Sequence, residues 1–357
     1  MITRTAAAAG FVLRTGIQTS RPAPAVAAIA CLLCQHQQQQ YRLFSNSSQQ
    51  LNSNNSNNNK DALRKIPGLD GVPPSSPLAN APRSYGEKTL EFTPTPLSRP
   101  IGMNYPPEAG QNTGVDNRSI RERRDDFANY DKQLAKRQNL ISKWARPYFR
   151  DWRNMRFHKG KTFLCPPRLF KCDLSLYFPN LHGRTLSGKK AADTTPVLEG
   201  RVSIVALFSG MWAENQVKTF ISPEKNPGLE GLLKNSGGKA QLIHINVEED
   251  PLKYWLVRLF SGSIKRKIGR ENWDKYFLVK KGISDEIRES IGLLNSKVGY
   301  VYLVDHECRI RWAASGDAEL GEPEGLIRGV GRILEEIKEK GIGANYTRKQ
   351  VVGKRTQ

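Results

Sequence analysis

The run VSIVALFSGMWAENQVKTF (Val202–Phe220) constrains this chain more than any other. Val202–Leu207 is a short apolar run of the kind that forms a strand. Phe208 follows at once, Trp212 comes four residues later, and from about Ala213 the spacing becomes helical.

The rest of the C-terminal half alternates in the same way. QLIHINV (Gln241–Val247) predicts a strand, and PLKYWLVRLFSGSI predicts a helix with Leu252, Trp255, Leu256, Leu259, Phe260 and Ile264 on one face. YFLV (Tyr276–Val279), a helix near Ser284–Leu294, the paired strands VGYVYLVD and CRIRWAA, and a closing helix GLIRGVGRILEEIKE complete the order. Alternating strands and helices ending in a hairpin and a last helix give an α/β domain. The order resembles a thioredoxin-like domain with a peroxiredoxin-type αβ insertion at Tyr276–Leu294.

That layout normally places a cysteine directly after the tryptophan and a second one three positions on, at a helix N-terminus that depresses the thiol pKa. Here the two places hold Ala213 and Gln216. The cis-proline that faces such a dithiol falls, by counting back from Asp305, on Gly299. Nucleophile, resolving thiol and proline are absent together. Trp212 reads equally as a core side chain or as part of a binding surface above the helix start.

Composition bears on the remainder. Residues 1–44 carry Arg4, Arg14, Arg21 and Arg42 and no acid, since the first acidic residue is Asp61. This is the make-up of a mitochondrial presequence, and YRLFS (Tyr41–Ser45) resembles a matrix-peptidase site. The apolar stretch AVAAIACLLC (Ala25–Cys34) is the competing reading, a secretory h-region, though it sits late and no small-residue cleavage box follows it. Removing those four arginines lowers the net charge only from +21 to +17, so the mature protein keeps a preference for acidic surfaces. No stretch has the ~18–20 apolar residues of a membrane span.

Residues 45–60 are an Asn/Ser/Gln tract, and 67–107 hold ten prolines, so 45–116 is expected to be a linker. The segment 117–157 is expected to be helical, with Ile120, Phe127, Leu134, Ile141 and Tyr148 in one line. Between Arg118 and Arg168, fifteen basic residues stand against five acidic ones, with Trp144, Tyr148, Phe149 and Trp152 interleaved. Two readings stay open for it: a solvated helix packed by one stripe, or a basic arm for anionic lipid or RNA phosphate. The folded domain is expected over 158–340, with a basic tail at 341–357.

Other chemistry is sparse. Cys31 and Cys34 lie in the expected presequence, and Cys165, Cys172 and Cys308 have no zinc-like spacing, which leaves ordinary thiols. VEED (Val247–Asp250) ahead of Pro251 reads as a helix cap rather than a metal site. No cofactor is expected.

Five blocks in order carry a more specific resemblance: GKTFLCPPRLFKCDLSLYFPNLHGRTL (Gly160–Leu186), FSGMWAENQVKTF, HINVEEDPLKYWLVRLF, WDKYFLV and GYVYLVD. Together, from about Trp144 to Glu336, the chain resembles the mitochondrial ATPase assembly factor family, the subunit-ten type of assembly protein for the ATP synthase membrane sector. The resemblance implies a thioredoxin-like protein without redox cysteines and without enzymatic activity. It further implies a chaperone that binds newly made subunit a (ATPase subunit 6) on the matrix side of the inner membrane and aids its association with the c-subunit ring.

On that basis Phe178, Pro179, Asn180, Gly183, Trp212, Glu214, Gln216, Tyr254, Trp255 and Arg258 are candidate partner contacts. Arg121, Arg123, Arg124 and Arg137 are candidates for the anionic membrane surface. No nucleic-acid partner is implied. A ribosome- or RNA-associated basic protein and a matrix redox protein are the rival classes. The first would follow ribosomal RNA, and the second would need one of Cys165, Cys172 or Cys308.

Overall fold

Seven strands form one mixed sheet in the order β2-β1-β5-β4-β3-β6-β7. They are β1 (His182–Thr185), β2 (Ala191–Asp193), β3 (Val202–Phe208), β4 (Ala240–Val247), β5 (Tyr276–Val279), β6 (Tyr300–Val304) and β7 (Ile310–Ser315). β3, β4 and β5 run parallel, with Val205 level with Ile243 and Ile245 level with Phe277. β6 joins β3 antiparallel, and β7 closes a hairpin on β6. β1 pairs antiparallel with β5 and carries β2 at the sheet edge.

The computed structural model describes residues 78–84, 89–115, 119–131, 133–134, 137, 149–188 and 190–339. The expected presequence with Cys31 and Cys34, the Asn/Ser/Gln tract and the tail at 341–357 lie outside the described residues.

β3 is buried along its whole length, as a central strand covered on both faces must be. The two-residue period sends Val205 and Leu207 into one core and Ile204, Ala206 and Phe208 into the other. On the second face lie α4 (Gly210–Ile221), α5 (Pro227–Asn235) and α9 (Glu322–Glu339). Phe220 of α4 meets Trp312 of β7 edge-on at 6.3 Å between ring centres. Gly329 lets α9 sit down on the sheet, because a Cβ there would come within 2.9 Å of Leu303 Cδ2. Gly329 therefore serves the packing of α9 on the sheet.

The first face is covered differently from what the sequence suggests. The segment 78–103 was expected to be linker, yet Leu78, Ala81, Leu97, Ile101 and Met103 are core residues beside Phe178, Tyr300 and Tyr302. Leu97 N–H donates to Leu164 O at 3.2 Å, and Met103 and Tyr177 exchange two backbone bonds at 2.7 and 2.9 Å. The prolines do not prevent this: an extended strap can place isolated apolar anchors without any helical or strand period. Arg83 fixes its start, donating to Leu78 O at 2.6 Å and to Glu289 at 3.0 Å. The fold therefore begins well before residue 158.

The 117–157 reading also changes. α1 (Ile120–Ala128) opens with a capping box between Ser119 and Glu122 and stops at Asn129, whose ψ of 111° is extended. Ile120 and Leu134 of the expected stripe are exposed. The side chains of Phe127, Ile141 and Tyr148 lie outside the description. α2 (Arg150–Asn154) follows, and Asn154 Nδ2 donates to Arg83 O at 3.0 Å.

Between β1 and β4 the chain adds α3 (Thr195–Leu198), and the expected insertion supplies β5 and α8 (Asp285–Ser290). The predicted helix after Asp250 is two helices, α6 (Pro251–Leu259) and α7 (Ser261–Ile268), meeting at Phe260. Asp250 caps α6, its carboxylate accepting from Leu252 N–H at 2.9 Å, with Pro251 in the first turn. Among the described residues no helix is long and apolar enough to cross a membrane.

Candidate functional site

The N-terminus of α4 occupies the place of a thioredoxin dithiol, and it is closed. Ala213, at the first thiol position, is fully buried, and Gln216, at the second, is nearly so. The Gln216 carboxamide uses both ends: Nε2 donates to Lys159 O at 3.1 Å, and Oε1 accepts from Gly299 N–H at 3.0 Å. A polar side chain can be buried here because each of these groups finds a partner.

Gly299 stands where the facing proline would be. A Cβ there would lie 2.4 Å from Ala213 O and 2.6 Å from Val217 Cγ2, so the backbone of β6's approach rests directly on α4. A proline would also lack the N–H that Gln216 holds. Lys159 and His158 have φ of +55° and +44°, a left-handed turn unusual for non-glycine residues. The Gln216 bond to Lys159 O helps to hold that turn. Gln216 thus ties the start of α4 to the 158–159 turn on one side and to Gly299 on the other.

The three described cysteines are free thiols, none placed at the start of α4. Burial, with Glu322 beside it, pushes Cys165 up to about 12, and burial pushes Cys308 up to about 12. Burial next to Asp305 and Glu307 also raises Cys172. A thiol held protonated is a poor nucleophile.

The expected contact residues separate into two groups. Phe178 is core, packed edge-on against Tyr302 at 5.5 Å. Pro179 is buried. Asn180 is a hub: Nδ2 donates to Gln111 O at 2.9 Å and Asp193 Oδ1 at 3.1 Å, and Oδ1 accepts from Thr195 Oγ1 at 2.9 Å. Gly183 lies so close to β5 that a Cβ would be 2.8 Å from Leu278 O. With Gln216, these residues hold the fold together and offer little to a partner.

The second group is on the surface. Trp212 is 52% exposed and Met211 beside it 77%. Glu214 pairs with Lys218 at 2.7 Å and approaches Lys267 of α7 at 3.9 Å. Tyr254 is half-buried with Lys280 Nζ 5.2 Å from its ring centre, while Trp255 and Arg258 are exposed. Arg121 and Arg124 on α1 and Arg137 beyond it are exposed; the Arg123 side chain lies outside the description.

A feature that periodicity showed only in part is the α6 stripe. Leu252, Trp255, Leu256 and Leu259 form the apolar face expected of a buried helix, but all four are exposed, and so is Phe260 at the joint. No residue of α6 is fully buried. Amphipathic spacing says that a face exists, not what covers it.

Next to the closed site, at the carboxyl ends of β3 and β4, a pocket of about 90 Å³ is lined by Ser209, Glu248, Glu249 and Arg288. Ligands of open α/β sheets bind in this region, but cofactor pockets are several-fold larger, roughly 300 Å³ upward. Two pairs among its groups already engage one another: Arg288 with Glu249, and Ser209 Oγ with Glu248 Oε1 at 3.4 Å. Burial raises the Glu248 carboxyl above its usual range. Among the described residues no three His, Cys, Asp or Glu side chains gather as a metal site.

Comparison with known proteins gives the family. The chain is 30% identical over 256 residues to a protein of Eremothecium gossypii named mitochondrial ATPase complex subunit ATP10, covering 71% of this chain and 88% of the relative. The protein of the same name from Saccharomyces cerevisiae is 27% identical over 259 residues, covering 68% of this chain and 88% of the relative. Among solved structures, a secreted thiol-disulfide isomerase from Corynebacterium glutamicum is 13% identical and covers 49% of this chain and 99% of its own, with a TM-score of 0.33. At that level the fold assignment rests on the strand order and the helix placement described above. The family described as ATP10 protein matches residues 78–333, which begins at the first core residue of the strap and ends within α9. This chain belongs to the ATP10 protein family.

Proposed function

We propose that this protein is a mitochondrial assembly factor for the membrane sector of ATP synthase, acting without redox chemistry or any other catalysis of its own. Its client is newly made subunit a (ATPase subunit 6), which it holds at the matrix face of the inner membrane until the subunit joins the c-subunit ring. The observation that carries the reading is the closure of the thioredoxin site by Gln216 against Gly299. A scaffold whose thiol positions are an alanine and a hydrogen-bonded glutamine, in a family whose relatives are named for the mitochondrial ATPase complex, fits a holding role.

Exposed apolar side chains at Met211 and Trp212 offer contact area for a client whose membrane segments are costly to leave in water. The exposed arginines of α1 and the segment after it complement an anionic surface, at roughly 1 kcal/mol for each basic residue near the bilayer. Reversing Arg121, Arg123, Arg124 and Arg137 to Glu is expected to loosen the protein from salt-washed mitochondrial membranes. Unchanged retention would remove the arm from the account.

Rescue of cells lacking the protein tests the function. The chain with Cys165, Cys172 and Cys308 changed to Ser is expected to restore subunit a to the membrane sector on native gels. Normal entry of subunit a without the protein, or failure of a folded cysteine-free chain, would overturn the proposal.

A further inference from the structure

Helix α6 has an apolar face directed away from the protein and a charge pattern that names its surroundings. At 100° per residue, Leu252, Trp255, Leu256 and Leu259 fall within an arc of about 100°. Lys253 and Arg258 lie on its two flanks, and the half-buried Tyr254 and Val257 occupy the opposite side, toward the domain. From Pro251 to Arg270 there are six basic residues and no acidic one.

α7 supplies the mounting. Ile264, Ile268 and Trp273 pack against the core of the second sheet face, and Trp273 Nε1 donates to Lys265 O at 3.1 Å. The chain is thus gripped just after α6, while α6 itself stays outside. Nine residues span only about 14 Å, half of a bilayer's hydrocarbon thickness, so α6 is too short to cross a membrane and suited to lie along one.

We propose that α6 is an interfacial anchor that lays its Leu252–Trp255–Leu256–Leu259 stripe among the headgroups and upper acyl chains of an anionic bilayer. An apolar face with Trp at its centre and Lys and Arg at its edges matches that interface on both sides. The flanking aliphatic stems rest on the apolar zone while their charges reach the lipid phosphates. A hydrophobic client segment would use the stripe alone and leaves the acid-free basic run unexplained. The proposal stands on α6 and does not depend on which protein is the client.

The test uses the full chain and vesicles of phosphatidylcholine with or without phosphatidylglycerol, the lipids carrying brominated acyl chains. Because residues 1–44 are themselves basic, binding alone does not decide the matter; the variants do. Tryptophan emission should be quenched on the anionic vesicles, and Trp255→Phe, compared at equal amounts of vesicle-bound protein, should remove most of the quenching. Leu256→Ser with Leu259→Ser should weaken partitioning on the order of tenfold or more, with an unchanged far-UV CD spectrum. Quenching that survives Trp255→Phe, or partitioning that survives the double serine variant, would overturn the assignment. So would a double variant that still binds vesicles but no longer captures newly made membrane proteins, since the stripe would then be a protein-docking face.

Discussion

The Gln216 carboxamide oxygen lies 3.0 Å from the Gly299 backbone nitrogen, and this bond joins the two places where a thioredoxin keeps its resolving cysteine and its proline. The substitutions at both places are compatible only together. Glutamine needs a free backbone N–H opposite it, and the glycine N–H would be buried without a partner if the glutamine were absent.

Gln216→Ala should therefore cost about 2–4 kcal/mol of stability, from two unpaired buried groups and a small void. Gln216→Glu should be worse at neutral pH, because its charge would face the Lys159 carbonyl away from water. Its folded-state pKa would be raised, so the deficit relative to the native chain should shrink as pH falls toward about 4. Gly299→Pro should fail to give folded protein. Urea titrations at several pH values read the first two and soluble yield the third; a neutral Gln216→Ala would contradict the closed-site description.

A chain shortened to begin at residue 108 should be insoluble or aggregate. It would lose Leu78, Leu97, Ile101 and Met103 from the core, and each large apolar deletion costs about 2–5 kcal/mol. Expression of the shortened chain, compared with one starting at residue 70, checks this. A stable shortened domain would return 78–103 to the status of a linker.

His244 should set part of the acid sensitivity. It lies between Phe208 and Tyr276, and burial pulls its pKa from 6.5 down to about 4. The folded state holds it neutral, so below pH 6.5 the unfolded chain takes up the extra proton. Stability should accordingly fall as pH drops from about 6.5 to about 4. His244→Leu should flatten that part of the profile in denaturant melts; an unchanged slope would place the titrating group elsewhere. At the alkaline end Cys165 and Cys308, both at about 12, release protons later than in the unfolded chain, so stability should also fall above pH 9.

The central strands were legible because buried strands announce themselves by continuous apolar runs: YFLV is β5 residue for residue. That the two thiol positions hold no cysteine was legible from Ala213 and Gln216 alone. The hydrogen bonds that fill the vacated place were not, because they join positions 83 residues apart. Phe178, Asn180 and Gly183 sit in a block that resembles the family and within its matched residues 78–333, but a fold-holding residue and a partner contact look alike in sequence. The strap escaped because five anchors spread over twenty-six residues have no period. The α6 stripe was visible, while its outward direction depends on α7 packing through Ile264 and Ile268.

The most direct measurement of the central claim is a client capture. Proteins newly translated inside isolated mitochondria are labelled, gently solubilised, and recovered through a C-terminal tag on this chain. The account predicts one dominant labelled band at the size of subunit a, retained when Cys165, Cys172 and Cys308 are serine. A pattern matching all the newly made proteins, ribosomal RNA in the eluate, or loss of the band in the cysteine-free chain would contradict it.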